Sequence, residues 1–227
     1  MSVLSSIFQR YDLCLIQEIR DVSGAAIQDL LALVNRNQPN ASRYALALSA
    51  RLGRTSSKEQ YGVFYRTDKV QVVAQLQYND TSNWFERPPF SLVVRAVPGG
   101  AGVSPHLFLT FCHIQPSSAV SELDRMADVY AHYAAQSAFP PAWQEALQER
   151  WLFMGDLNAG CSYVLPSDWP RIRLRNATES VSGAALPTFR WLVNDSTGTT
   201  TAALSSCPYD RFVARKGLLR GDAGAAL

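Results

Sequence analysis

Several apolar runs in this sequence end in side chains that can carry charge or move a proton. Residues 12–19 (DLCLIQEI) close on Gln17 and Glu18, and residues 106–113 (HLFLTFCH) close on His113. Residues 151–154 lead directly into Gly155-Asp156-Leu157-Asn158, and Asp210 stands at the start of a further run. Burying a charge costs several kcal/mol unless it is paired or bound to metal, so a sheet with such groups at its strand ends is expected to build a site there. Carboxylates with an Asn carbonyl suit a hard divalent cation, Mg²⁺ or Mn²⁺. A nearby His suits general acid or base work. Each residue also has a plainer reading: Glu18 as a solvated strand end, His113 as a hydrogen-bonded structural His, Asp156 and Asn158 as turn residues. His106 and His132 receive no role.

The elements that must position these groups follow from the pattern. Buried strands are expected over 12–19, 106–113 and 151–154, and shorter ones over 44–48, 61–66, 70–78, 90–97 and 209–214. A helix is expected over 23–35 from Ile27, Leu30, Leu31 and Val34, with Ser23 as N-cap. A longer helix is expected over 118–136, with Val120, Leu123, Ala127, Tyr130 and Ala134 on one face. Pro140 and Pro141 interrupt it before 143–149 resumes. Pro98-Gly99-Gly100 closes one strand, and 159–206 reads as a long irregular segment.

The chain has 227 residues, of which 47% are hydrophobic and 18% charged, which excludes a disordered tail and suits one domain spanning 1–227. No apolar run is long enough to span a membrane. A net charge of +2 excludes a histone-like or strongly acidic protein but not a nucleic-acid enzyme. Cys14 and Cys112 read as buried free thiols, and Cys161 and Cys207 can form one bridge. Four Asn begin N-x-S/T triplets (Asn40, Asn79, Asn176, Asn194), which hints at a glycosylated, secreted history. The first residues show no signal peptide.

In order, Q-E, K-E, C-H, G-D-x-N and Y-D-R resemble the endonuclease/exonuclease/phosphatase superfamily. QEIRD (17–21), KEQY (58–61), FERPPF (85–90), GDLNAGCSYV (155–164), TFRWL (188–192) and CPYDR (207–211) are most similar to the deoxyribonuclease I family. The last of these, together with GDLNAGCSYV, speaks against a lipid or inositol phosphatase. The resemblance implies an α+β fold, a four-layer sandwich of two packed, mainly antiparallel β-sheets flanked by helices. It implies an endonuclease that hydrolyses double-stranded DNA to 5′-phosphate ends with Mg²⁺ or Mn²⁺. By the same resemblance Glu18 ligates the metal, Asp156 sits near metal and attacking water, and Asn158 holds a phosphate oxygen. His113, oriented by Glu59, is one of two catalytic histidines, and Asp210 orients the other. Arg20 and Arg87 reach DNA, with Tyr163 and Tyr209 on the same face, and Cys161–Cys207 is the family disulfide. Secretion and a monomeric state are implied; an inhibitor partner such as actin is not inferable.

Departures bear on these expectations. Ser57 replaces an aromatic before Lys58-Glu59, and Pro88 replaces a Glu after Arg87. Gly198 stands where the family offers Asp to Ca²⁺, so both calcium sites look weakened, with Asp80, Thr199 and Thr201 left as oxygen donors. A first strand and a closing Ser-Asp-His strand have no counterpart, so terminal strands and the second catalytic His are expected to be missing. The 227 residues are therefore expected to be poorly stable and nearly inactive. The alternative is a non-catalytic relative that binds DNA or a protein.

Overall fold

The computed structural model describes residues 2–36, 38–39, 42–97, 104–175, 180–181, 184–201 and 206–215. In chain order the elements are α1 (Ser2–Phe8), β1 (Leu13–Ile19), α2 (Ala25–Asn35), β2 (Tyr44–Leu48), β3 (Gln60–Arg66), β4 (Val70–Gln77), β5 (Phe90–Ala96) and β6 (His106–Phe111). They continue with α3 (Ala119–Ala134), α4 (Pro141–Glu149), β7 (Trp151–Asp156), β8 (Ser180–Val181), β9 (Ala184–Ala185), β10 (Phe189–Trp191) and β11 (Asp210–Arg215). The turn at 98–100, the triplets at Asn40 and Asn176, and residues 216–227 lie outside the described residues. Asn79 and Asn194 are exposed.

Two sheets carry the fold: β1-β3-β2, and β10-β11-β7-β6-β5-β4. Every described pair is antiparallel except β6–β7. A parallel pair needs a long crossover, and α3 with α4 provides it. Alternation along each strand then builds three packed interiors. Phe90, Leu92 and Val94 of β5 face Tyr61 and Val63 between the sheets. Val93 points the other way, to Leu123, Met126 and Tyr130 of α3. On the far side Ile27, Leu30 and Val34 of α2 cover Phe64 of β3. The order helix, sheet, sheet, helix is the expected four-layer sandwich.

Three local expectations are corrected. The α2 N-cap is Gly24 at φ 72°, not Ser23; the Asp21 carboxylate accepts from Ala26 N at 2.9 Å and Ser23 N at 3.0 Å. These bonds hold the Asp21 carboxyl below the usual carboxylate range. β1 is half-buried rather than buried, and Cys14 with it, because among the described residues β3 is its one neighbour in the sheet. Within 159–206, Phe189–Trp191 forms β10 against β11.

Beside β1 lies an open apolar groove of about 560 Å³, lined by Leu4, Ile7, Leu13, Leu15 and Phe212 among others. It separates β1 from β7 and β11 except at the site end, where one side chain crosses.

Candidate active site

That side chain is Gln17. Its Nε2 donates to the Cys112 carbonyl at 2.9 Å, and its Oε1 accepts from Asp156 N at 2.8 Å. One amide thus ties the tip of β1 to the ends of β6 and β7, and so sets Glu18 relative to His113 and Asp156. The close approach requires Gly155: its φ is +146°, and a Cβ there would sit 2.1 Å from the Cys112 carbonyl oxygen. Glu18 lies where the β1–β3 register shifts between Ile16 and Ile19, with φ 59°. A bulge of this kind re-aims a side chain at a sheet end, and positive φ in a non-glycine residue is strain held by its surroundings.

Asp156 is half-buried opposite Asp210 in the β7–β11 ladder. Its pKa is raised: burial is the largest cause, and the Asp210 and Glu18 charges push the same way. The Asn158 N–H and His113 oppose it. Asn158, at φ 47° and buried, donates Nδ2 to Ile114 O at 2.7 Å and its N–H to Asp156 Oδ1 at 3.0 Å. Carboxylates that raise one another's proton affinity favour a cation between them. Mg²⁺ is commonly held by one or two protein carboxylates with water completing the shell. Glu18 and Asp156 fit that requirement, although among the described residues no three His, Cys, Asp or Glu side chains form a ready cage.

His113 is buried at the end of β6. Its Nδ1 lies 2.9 Å from Glu59 Oε2 and 3.2 Å from Arg87 Nε, while Arg87 Nε also reaches Glu59 Oε2 at 3.0 Å. One nitrogen cannot both donate to Glu59 and accept from Arg87. The shorter, charge-assisted contact assigns Nδ1–H to Glu59, leaving the Nε2 lone pair facing Arg87 Nη2 at 3.3 Å. The Arg87 side chain is 12% exposed, so it is part of this cluster more than a free arm. Arg20 is exposed and donates to the Ser57 hydroxyl. Tyr163 and Tyr209 pack 5.1 Å apart beside Asp210. His106 lies at the other end of β6, and His132 packs on Tyr78, so neither reaches the cleft.

Gln17, Gly155 and Tyr61 have no role in the sequence reading, although all three fall inside quoted motifs. Tyr61 Oη donates to Arg87 O at 3.1 Å and accepts from His113 N at 2.9 Å.

Calcium fits poorly. Asp80 spends its oxygens on Trp84 N at 3.0 Å and Phe85 N at 2.8 Å. Asp195 pairs with Arg175 and, at 3.0 Å, with Arg211. A Cβ on Gly198 would meet Ser206 Oγ at 2.0 Å and Ser206 Cβ at 3.0 Å, so an acid there would have to displace Ser206. Thr199 Oγ1 donates to Cys207 O at 3.3 Å and accepts from Asp210 N at 2.9 Å. The Asp195 loop is held by arginine instead. Arg211, 1% exposed, also donates to Val193 O at 2.7 Å and Ala159 O at 2.6 Å. Arg211→Leu strands both carbonyls and is expected to cost about 2–3 kcal/mol in a urea melt. The Cys161–Cys207 disulfide closes the same region across 46 residues, about 4 kcal/mol in the disputed chain-entropy model.

Comparison with known proteins shows the family and the fold. The family model described as "Endonuclease/Exonuclease/phosphatase family" matches residues 1–225. Deoxyribonuclease-1 of Mus musculus is 38% identical over 219 residues, 94% of this chain and 69% of that protein. Deoxyribonuclease-1 of Homo sapiens is 36% identical over 231 residues, 97% of this chain and 72% of that protein. Among solved structures, the endonuclease/exonuclease/phosphatase from Bacteroides vulgatus has a TM-score of 0.58 at 12% identity, covering 95% of this chain and 78% of that one. At that identity the likeness speaks for the fold alone.

Proposed function

The chain belongs to the deoxyribonuclease I family, within the endonuclease/exonuclease/phosphatase family, and from that premise we propose a divalent-metal-dependent endonuclease that hydrolyses phosphodiester bonds of double-stranded DNA to 5′-phosphate ends. The observation that carries the reading is the Glu59–His113–Arg87 cluster facing the Glu18, Asp156 and Asp210 carboxylates across the Gln17 bridge. Glu18 and Asp156 would hold Mg²⁺ or Mn²⁺, which would supply positive charge at the phosphate. Glu59 fixes the His113 tautomer, so Nε2 is the atom that moves a proton. Asn158 keeps a second amide hydrogen for a non-bridging oxygen, and Arg87 adds fixed positive charge for the charge that develops at phosphorus. Arg20, Tyr163 and Tyr209 are assigned to backbone and sugar, contacts that position a duplex without reading much sequence.

The 227 residues bring one imidazole to this cleft. Where a two-histidine site is implied, one missing acid–base group lowers the expected rate by about 10²–10⁴-fold. The disulfide and the exposed Asn79 and Asn194 triplets support an oxidising, secretory route.

Supercoiled-plasmid nicking tests the reading, because one cut per circle is detected. Slow conversion to open circles is expected with Mg²⁺ and none with EDTA, and DNA ligase alone should reseal the product, since it carries 5′-phosphate and 3′-hydroxyl ends. Nicking that survives EDTA overturns the metal dependence. Plasmid binding without any nicking favours a non-catalytic relative.

A further inference from the structure

One buried ionisable group is not used by this mechanism. Glu122, in the first turn of α3, is 0% exposed and faces the back of the cleft. Its Oε1 accepts from Glu86 N at 3.1 Å, and its Oε2 accepts from Gln115 N at 3.3 Å. Glu86 directly precedes Arg87, and Gln115 lies two residues after His113. The two loops therefore meet on the two oxygens of one carboxylate. Tyr61 joins them from the opposite side through Arg87 O and His113 N.

We propose that Glu122 is a positioning residue, which sets the relative placement of Arg87 and His113 by bridging the backbones that carry them. An ion pair of its own does not explain its burial, because each of its oxygens meets a backbone N–H. Burial pushes the carboxyl up to about 7, only partly offset by the two N–H bonds and by the Arg87 and Arg54 charges. A group so costly to bury is retained where no apolar residue can replace it, since two adjacent loop N–H groups would otherwise be orphaned. The geometry bears on function because a misplacement of about 1 Å at a reacting group can cost about 10²-fold in rate.

The inference rests on the proposed nuclease reading for its catalytic meaning, so the experiment has two arms. Plasmid nicking with Mg²⁺ compares the unaltered chain with Glu122→Ala, Glu122→Gln and His113→Ala at a temperature where all are folded by circular dichroism. Glu122→Ala should lower kcat by about 10–10²-fold with KM within about twofold. Glu122→Gln, which keeps one acceptor for Glu86 N, should recover part of that loss. Unchanged kcat in the alanine variant overturns the proposal, as does a loss carried wholly by KM. The second arm is amide hydrogen exchange, which needs no activity. Protection at Glu86 and Gln115 should fall at least tenfold in Glu122→Ala while β5 and β6 stay protected. Unchanged protection overturns the proposal even where no variant nicks DNA. If none nicks and protection falls as expected, the nuclease reading fails and the bridge stands.

Discussion

His113→Ala should slow plasmid nicking by about 10²–10⁴-fold while leaving the thermal midpoint within a few degrees. The rate effect follows from the ring's two nitrogens. Nδ1–H is spent on Glu59, so Nε2, which faces Arg87 Nη2 at 3.3 Å, is the nitrogen whose lone pair is left for the reaction, and neither His106 nor His132 can substitute for it. The small stability effect follows from the neighbours. Removing the ring leaves Glu59 paired with Arg87 at 3.0 Å, so no buried charge is orphaned. The backbone N–H of residue 113 keeps its bond to Tyr61. Glu59→Gln distinguishes orientation from proton transfer: it keeps an acceptor for Nδ1–H but removes the carboxylate, so a smaller loss than His113→Ala is expected. Equal nicking by wild type and His113→Ala would remove His113 from the chemistry.

Gly155→Ala should destabilise the fold by about 3–5 kcal/mol and abolish nicking. A methyl group at this position would meet the Cys112 carbonyl oxygen at 2.1 Å and Gln17 Nε2 at 2.7 Å. The carbonyl belongs to the backbone next to His113 and cannot rotate away. The strain of φ +146° adds to the clash. Relief comes only by moving β7 away from β6, which parts Asp156 from both Gln17 and His113. A urea melt reads the first effect and plasmid nicking the second. A variant with the wild-type midpoint would mean that the sheet ends are not packed as closely as described.

Much of this was legible in the residues. Apolar runs ending in Glu18, His113 and Asp156 gave the strands and the end at which the site lies, because the bodies of those strands pack against the cores and their tips are where charge can be held. The resemblance placed Glu59 beside His113 and paired Cys161 with Cys207, and the structure has both contacts. Other features depend on partners remote in sequence. Gln17 looks like any polar strand tip until β6 and β7 arrive beside it. Glu122 interrupts an apolar face, which periodicity alone reads as a solvated position; the face that is buried turns toward Met126 and Tyr133 rather than Val120. β10 is three residues long in a stretch rich in Ser, Thr and Gly, too short to show alternation. The half-burial of β1 was hidden because an apolar run looks the same at the edge of a sheet as in its middle.

The Gln17–Asp156 bond also bears on time. It joins residues 139 apart in sequence, and together with the Gln17–Cys112 bond it ties the tip of β1 to the second sheet at the site. Local pieces such as the β4–β5–β6 meander and the α3–α4 pair form with little loop closure. The contact that brings Glu18 to Asp156 waits until both sheets exist and dock, since the entropy of closing a long loop must be met first. The cleft is therefore a late product of folding. While the chain is still incomplete or refolding, its carboxylates and His113 remain apart, and catalytic competence appears only with the final docking step.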